Sequence, residues 1–589
     1  MSWEAWLTLA VTIGTIYLLA RDIVAPASAM MGAAVALLIA GVITPGQAFA
    51  GFGNPAPMTV AALYILARAV EKTGLMQPIV HGLLGRKGRE RRGLTRLLLP
   101  SCGASAFLNN TPIVAMLIPV VTDWADRNQE SPSRYLMPLS FAVILGGVVT
   151  AIGTSTNLVV SGLLEQEGLK PMGLFEISPI GLPVAIVGFI LLVFLAPRML
   201  PNRRPARENL GEDVREFAVN MELVHEGPFD GRTVEAAGLR NLQGVFLVEI
   251  ERAGELVAPV GPGTILRGGD RLCFVGMVSQ IVDLQGMRGL RSTEQAHLTH
   301  FDTTKHTYFE AVVGAASPLV GRTIKEVEFR SRYQAAVVAI HRSGQRVNAK
   351  LGEVRIRVGD TLLLITDPGF RDRWRDRNDF LLVSQLGGTP PGVTRKAWIV
   401  GLVTVAIVGV AGAGLLPILQ AALIGVIVLV MSGVLTAGEA RSAVDLDVII
   451  VIAASFGVGA AIEESGLAAY LAHMIVEGFR HFGGTGVLLG VVLATVALTE
   501  LVTNNAAAAL MFPIGFAAAN QVGSDPRAFA LSVAVAASAS FLTPIGYQTN
   551  TMVYGPGGYR FGDYVRLGFP LTIMMILTIV IAVPFFWQI

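Results

Sequence analysis

The stretch IGLPVAIVGFILLVFLAP, residues 180–197, runs for eighteen residues without a charge. A helix needs about twenty apolar residues to cross the hydrocarbon of a bilayer. LTIMMILTIVIAVPFF (571–586) is a second such run and WLTLAVTIGTIYLLA (6–20) a third. The third reads as a retained span, because no basic n-region precedes it and no small-residue cleavage site follows. Charged residues make up 15% of the chain, against about 25% in soluble domains. The expected class is therefore a polytopic α-helical membrane protein in a lipid bilayer. Charge density divides the chain: residues 1–204 and 396–589 are apolar, while 205–395 resemble an ordinary soluble protein. A net charge of +2 carries no nucleic-acid footprint, and Cys102 and Cys273 imply no disulfide framework.

The two apolar blocks are nearly equal in length and share internal matches. AVEKTGL (69–75) matches AIEESGL (461–467), FLNNTPIVAMLIP (107–119) matches LVTNNAAAALMFP (501–513), and GTSTNLVV (153–160) matches GYQTNTMV (546–553). The offsets, 392, 394 and 393 residues, agree and fall in order. Two homologous halves are expected to flank a soluble insertion. Spans are expected at 5–20, 27–43, 57–72 and 177–197, with an interrupted segment at 94–121 and a broken span at 135–165. The second half gives 396–412, 417–434, 447–462 and 567–587, an interrupted segment at 486–516 and a broken span at 528–553.

Lys and Arg set orientation. GRKGRERRGLTR (85–96) holds six basic residues, and Arg21 and PRMLPNRR (197–204) fall on the same side. That side is expected to be cytoplasmic. With 94–121 dipping in and returning, the first half crosses five times, and an odd number inverts the second half. The expected architecture is an inverted repeat of about five spans plus one re-entrant hairpin each, with a cytoplasmic α/β insertion.

A polar side chain in hydrocarbon is costly without partners. Irregular backbone at membrane depth is tolerated where it lines a cavity. Asn109, Asn110 and Thr111 nevertheless interrupt one apolar run, and Thr503, Asn504 and Asn505 another. Re-entrant hairpins with these residues at their tips, meeting near the midplane, reconcile the two. Pro119 and Pro513, nine residues after Asn110 and Asn504, suit the returning arms. Each tip has a partner break, GTSTN (153–157) or TPIGYQTN (543–550). Unwound carbonyls with Asn, Ser and Thr oxygens make a neutral cage suited to a desolvated alkali cation, and exposed helix N-termini can face an anion. Helix–helix glue is the plain alternative for one such motif. Two at equivalent positions, each with its own break, favour a site. Neither motif has a carboxylate–His cluster, which argues against a transition metal. Glu500 is a membrane-embedded carboxylate and a functional candidate, with a hydrogen-bonded structural role as the alternative. Ala106 holds the equivalent place in the first half.

These paired tips and breaks resemble the divalent anion:sodium symporter (DASS) family of the ion-transporter superfamily, across both membrane halves. That family carries Ser-Asn-Thr at each tip, matched here by Asn109-Asn110-Thr111 and Thr503-Asn504-Asn505. The resemblance implies one Na+ site per half, between tip and break. Ser105, Asn109, Asn110 and Gly153 would form the first, and Thr499, Val502 (by its carbonyl), Asn504 and Gly546 the second. It implies substrate contacts at Asn110, Thr111, Thr154, Asn504 and Asn505. Na+ would be the coupling ion, with no organic cofactor. Both tips lack the family's first serine, the second lacks its threonine, and GTSTN and GYQTN depart from its Gly-Thr-Pro-Pro-Asn breaks. With its insertion, the chain resembles the branch associated with sulfate and other sulfur anions. Sodium-coupled uptake of a small divalent anion, sulfate first, at the cell inner membrane is the expectation. A C4-dicarboxylate or citrate is the alternative cargo.

The insertion repeats at an offset of 90. FDGRTVEAAGL (229–239) matches LVGRTIKEVEF (319–329), GVFLVEIERAGE (244–255) matches QAAVVAIHRSGQ (334–345), and RGGDRL (267–272) matches RVGDTL (357–362). Alternating apolar runs with Gly-Asp turns read as strands, and VEAAGLR and IKEVEFR as short helices. The pattern resembles the TrkA-C (RCK C-terminal) domain of proteins that regulate K+ conductance, with copies expected at 205–298 and 299–395. The resemblance implies a small α/β unit that pairs with another copy, hence a homodimer. It also implies either a small cytoplasmic ligand that biases transport or a role in assembly. No GxGxxG follows a strand; GVGAAI (457–462) fails at the third glycine. His297, His300 and His306 have loose spacing for a metal and read as solvated linker. No TVGYG filter or nucleophile–base constellation emerges, so neither a channel nor an enzyme is expected. A membrane nutrient sensor and a K+/H+-linked transporter are the rival readings.

Overall fold

The computed structural model describes the chain apart from residues 22, 76–89, 129, 203–217, 240–244, 253–254, 258–259, 277–286, 288, 293–307, 315–316, 343–344, 348–350, 367–368, 375–378, 386–395 and 545. His297, His300 and His306, and residues 85–89 of the basic loop, lie outside the described residues.

Helix Ser178–Met199 shows how the apolar runs are used. Leu182, Ile186, Ile190 and Phe194 recur every fourth residue and are exposed, while Ile180, Val184, Gly188, Leu192 and Ala196 are buried. A helix apolar on both faces places its outer stripe against lipid and its inner one against other helices. Trp3–Ala20, Leu446–Glu464, Phe561–Phe586 and the segment Leu467–Thr499 are also long and apolar enough to cross a membrane. Pro26–Ile39, Ala397–Gly412 and Ile418–Met431 are shorter apolar helices.

The order of elements repeats. Trp3–Ala20, Pro26–Ile39 and Pro55–Thr73 precede a helix pair, Glu90–Ser105 and Asn110–Arg127; then Leu136–Gly147 and Ser155–Gln166 flank a break, and Ser178–Met199 follows. In the second half Ala397–Gly412, Ile418–Met431 and Leu446–Glu464 precede the pair Gly483–Thr499 and Asn504–Val522. Pro526–Ala536 and Gln548–Tyr554 flank the second break before Phe561–Phe586. Pro119 and Pro513 both sit inside the second helix of their pair. The expected spans agree to within a few residues, but the short helices Pro45–Ala48 and Ala437–Ser442 were not anticipated. Each opens on a capping box, Thr44 with Gln47 and Thr436 with Glu439, a pattern legible in sequence as Thr-x-x-Gln/Glu. The closing helices lie on the breaks through glycine. A Cβ on Gly181 would stand 2.0 Å from the Val148 carbonyl oxygen, and one on Gly568 2.1 Å from that of Phe541.

Contacts between the halves gather at two opposite sets of helix ends. At one, Lys72 Nζ lies 2.6 Å from Glu439, and the Tyr559 hydroxyl takes the Met137 amide at 2.8 Å. At the other, Gln47 donates to Glu464 at 2.6 Å, and Arg527 pairs with Glu176 at 2.8 Å.

Between the halves stand two five-stranded antiparallel sheets. The first has β1 (Ala218–Leu223), β2 (Val245–Arg252), β3 (Glu255–Val257), β4 (Arg271–Gly276) and β5 (Leu290–Ser292), in the order β3-β2-β4-β1-β5. The second has β6 (Tyr308–Val313), β7 (Ala335–Arg342), β8 (Gln345–Arg346), β9 (Thr361–Thr366) and β10 (Phe380–Gln385), in the corresponding order β8-β7-β9-β6-β10. Both carry the same buried ion pair. Arg252 grips Asp270 at 2.8 and 2.7 Å, and Arg342 grips Asp360 at 2.8 Å through both nitrogens. In place of the expected helices at VEAAGLR and IKEVEFR, 234–239 and 324–328 are turns, followed in the second unit by the five-residue helix Phe329–Tyr333. Positive φ explains the loss: Gly238 at 72° and Glu328 at 47° leave the right-handed helical region.

Candidate functional site

The two helix pairs turn at Ala106–Asn109 and at Glu500–Thr503. In the first, the Ser105 hydroxyl donates to Asn110 Oδ1 or to the Val143 carbonyl, 2.7 Å away. In the second, the Thr499 hydroxyl does the same with Asn504 Oδ1 at 2.9 Å and the Ala537 carbonyl at 2.6 Å. The breaks match as well. Asn157 Nδ2 donates to the carbonyls of Gly147 (3.2 Å) and Thr150 (2.8 Å), and Asn550 Nδ2 to those of Ser540 (2.8 Å) and Thr543 (3.3 Å). The sequence separations of these four bonds, 5, 38, 10 and 7 residues, are the same in both halves.

Both clusters are rich in oxygen and short of protons. Ser540 Oγ lies 2.9 Å from Asn504 Oδ1, 3.3 Å from the Thr499 carbonyl and 3.4 Å from the Gly546 carbonyl. Two hydroxyl protons, from Thr499 and Ser540, therefore serve at least four acceptors. In the first half the carbonyl oxygens of Ser105 and Gly147 converge where a Cβ on Gly153 would stand, at 2.8 and 2.4 Å. Hard, neutral oxygens with unfilled lone pairs suit an alkali cation. Among the described residues no group of three His, Cys, Asp or Glu could hold a metal ion.

Among the described residues the tips do not bond one another. Each reaches the break of the other half. Asn110 Nδ2 donates to the Tyr547 hydroxyl at 2.9 Å, and Thr111 bonds Gln548 at 3.2 Å. Asn505 Oδ1 accepts from Ser155 at 3.0 Å and Thr156 at 3.2 Å. Thr154 sits beside the Tyr547 hydroxyl. The structure thus gathers Ser105, Asn110, Thr111, Gly153, Thr154, Thr499, Asn504, Asn505 and Gly546 around one centre. Of the other two expected ligands, Asn109 faces the Tyr64 hydroxyl on helix Pro55–Thr73, and Val502, expected to act by its carbonyl, has a buried side chain in the second tip. Ser540 was missed, as were the cross-bonds of Tyr547, Gln548, Ser155 and Thr156. The repeat offset of 393 points from Gly147 to Ser540, and could have found it.

A helical membrane core that holds duplicated oxygen cages at broken helices is that of a membrane transporter. The chain belongs to the citrate transporter family (CitMHS), which it matches over residues 15–534 and 479–588. It is 35% identical, over 96% of its length and 99% of the relative's, to a protein of Chlamydomonas reinhardtii named "Putative sulfur deprivation response regulator". An uncharacterised transporter of Synechocystis sp. is also 35% identical, over 92% of this chain and 91% of the relative. Sodium/sulfate cotransporter 1 of Chlamydomonas reinhardtii is 26% identical, over 91% and 84% of the two chains.

Proposed function

We propose that the protein is a sodium-coupled importer of a divalent oxyanion, sulfate before others, working by alternating access in the cell inner membrane. The carrying observation is the pair of matched oxygen clusters cross-bonded through Asn110–Tyr547 and Asn505–Ser155. Ser105, Asn110 and Gly153 would hold one Na+; Thr499, Asn504 and Gly546, with Ser540, would hold another. Asn109 would complete the first set, and Val502, by its carbonyl, the second. The anion would lie between the tips at Asn110, Thr111, Thr154, Asn504 and Asn505. Helices starting at Asn110, Ser155 and Asn504 direct their N-termini there, and such ends favour negative charge.

The contact pattern supports an inverted repeat. Helix Pro55–Thr73 ends at Lys72, beside Glu439, which precedes its counterpart Leu446–Glu464. Corresponding helices thus run in opposite senses. Arg91, stacked on Phe194 at 5.1 Å, adds positive charge at the Lys72 end, which would be the cytoplasmic one. The sheets in 205–298 and 299–395 read as tandem TrkA-C-like domains that would pair two copies in a homodimer. The second also touches the transport core: a Cβ on Gly359 would stand 3.3 Å from the Tyr554 ring. Helix Gln548–Tyr554 joins that contact to Tyr547 and Gln548, giving a cytoplasmic ligand a route to bias one transport state.

One charge moved through 100 mV is worth about 2.3 kcal/mol, so a divalent anion entering a negative cell is opposed by about twice that. Two Na+ ions cancel the charge. The test is uptake into proteoliposomes under a sodium gradient, with sulfate, thiosulfate, succinate and citrate in competition. Sodium-dependent sulfate uptake that citrate fails to inhibit is the expected result. The family's description favours citrate or a C4-dicarboxylate as the second reading, and inhibition by those acids would establish it. The regulator's name favours a sensor; absence of flux for every anion would favour that.

A further inference from the structure

The second half lines with side chains a point that the first lines with backbone. A Cβ on Gly153 would collide with the Gly147 carbonyl oxygen at 2.4 Å. A Cβ on Gly546 would meet side chains instead: Thr543 Oγ1 at 3.0 Å, Ser540 Oγ at 3.3 Å and Glu500 Oε2 at 3.4 Å. Three side-chain oxygens therefore surround one point, and one belongs to a carboxylate. Glu500 is fixed there, since its Oε1 accepts the amides of Phe541 at 3.0 Å and Leu542 at 2.9 Å. The Thr543 hydroxyl and amide also approach the carboxylate, yet its buried Oε2 makes no well-formed hydrogen bond with the described residues. Capping two amides needs one oxygen, and a glutamine would serve. The second, unpartnered oxygen is costly in a buried place, and a bound cation is what removes that cost.

We propose that Glu500 is a direct ligand of the second-half cation, with the Ser540 and Thr543 hydroxyls beside it. This rests on the sodium-symport reading above. The two sites then differ in kind. The first is neutral; the second carries a charge that cancels that of its ion, so it binds Na+ more tightly and fills first.

The purified full-length protein, titrated with NaCl against N-methylglucamine chloride at constant ionic strength, reports binding by thermal stabilisation without any transport. Glu500→Gln keeps an oxygen for both amides and removes only the charge. Its half-saturating Na+ concentration should rise about tenfold or more, the effect of making a charged ligand neutral. Gly546→Ala adds a methyl at the centre of the three oxygens and leaves the charge in place. It should remove the same high-affinity phase, and it tests the proposal where Glu500→Gln fails to fold. A sodium response in the wild type with unchanged titrations in the folded variants overturns this inference alone. A wild type indifferent to Na+ overturns it together with the symport reading.

Discussion

The halves agree in scaffold and differ in chemistry. The four bonds that fix each tip and its break recur at the same separations, so the folding instructions are duplicated. The groups turned toward the centre are not. Gly147 is answered by Ser540, Ala106 by Glu500, Thr154 by Tyr547, and Thr111 by Asn505. Backbone carbonyls line the first cluster where hydroxyls and a carboxylate line the second. On the proposed reading, duplication supplied two cages and later substitution gave them different ligands. Neutral oxygens alone hold a cation loosely, whereas a charged ligand holds it more firmly.

Close packing gives the sharpest break of the symmetry. A Cβ on Gly146 would stand 2.1 Å from the Cys102 carbonyl oxygen, yet the equivalent residue is Ala539. Gly146→Ala should destabilise by about 3 kcal/mol or more, visible as a lowered unfolding temperature and loss of monodisperse protein. Ala539→Gly should cost only about 1 kcal/mol. Next come the asparagines. Asn110→Ala and Asn504→Ala should each cut sodium-dependent uptake about a hundredfold in folded protein, as expected from about 2.8 kcal/mol lost at an ion ligand. A large loss from one and none from the other would show that a single cage works. Ser540→Gly makes the second cluster resemble the first. It should raise the Na+ concentration for half-maximal uptake about tenfold, the equivalent of about 1.4 kcal/mol.

The smallest effect lies at the capping boxes. Burial raises the Glu439 pKa, but hydrogen bonds from Lys72 and Thr436 outweigh it and bring it from 4.5 to about 2. A depressed folded value contributes stability in full above the ordinary value, lost as pH falls from 4.5 toward 2. Both partners are about one-third exposed, so Lys72→Ala should cost below about 1 kcal/mol. Its effect should fade in acid unfolding over that range. Gln47, the first-half counterpart, cannot titrate, and its replacement should show no such pH dependence.

Much of this was legible in the sequence. Hydrophobic run lengths located the spans because a bilayer fixes helix length, and the 392–394 offset located both tips and both breaks. The 90-residue offset reproduced every strand of the second sheet from the first. What was not legible was which side chain meets which. Tyr547 and Asn110 lie 437 residues apart, and no local period encodes a contact between a tip and the other half's break. Ser540 is one serine among apolar residues, and its meaning appears only when it stands beside Asn504. The supposed helices of the insertion failed for a local reason, the positive φ at Gly238 and Glu328.

The most direct test is high-resolution cryo-electron microscopy of the protein in Na+ and, separately, in N-methylglucamine. Sodium should add one density between Ser105 and Asn110 near Gly153, and one among Thr499, Asn504, Ser540 and Gly546, both absent without it. Identical maps with both clusters closed by protein hydrogen bonds alone would contradict the two-cage account.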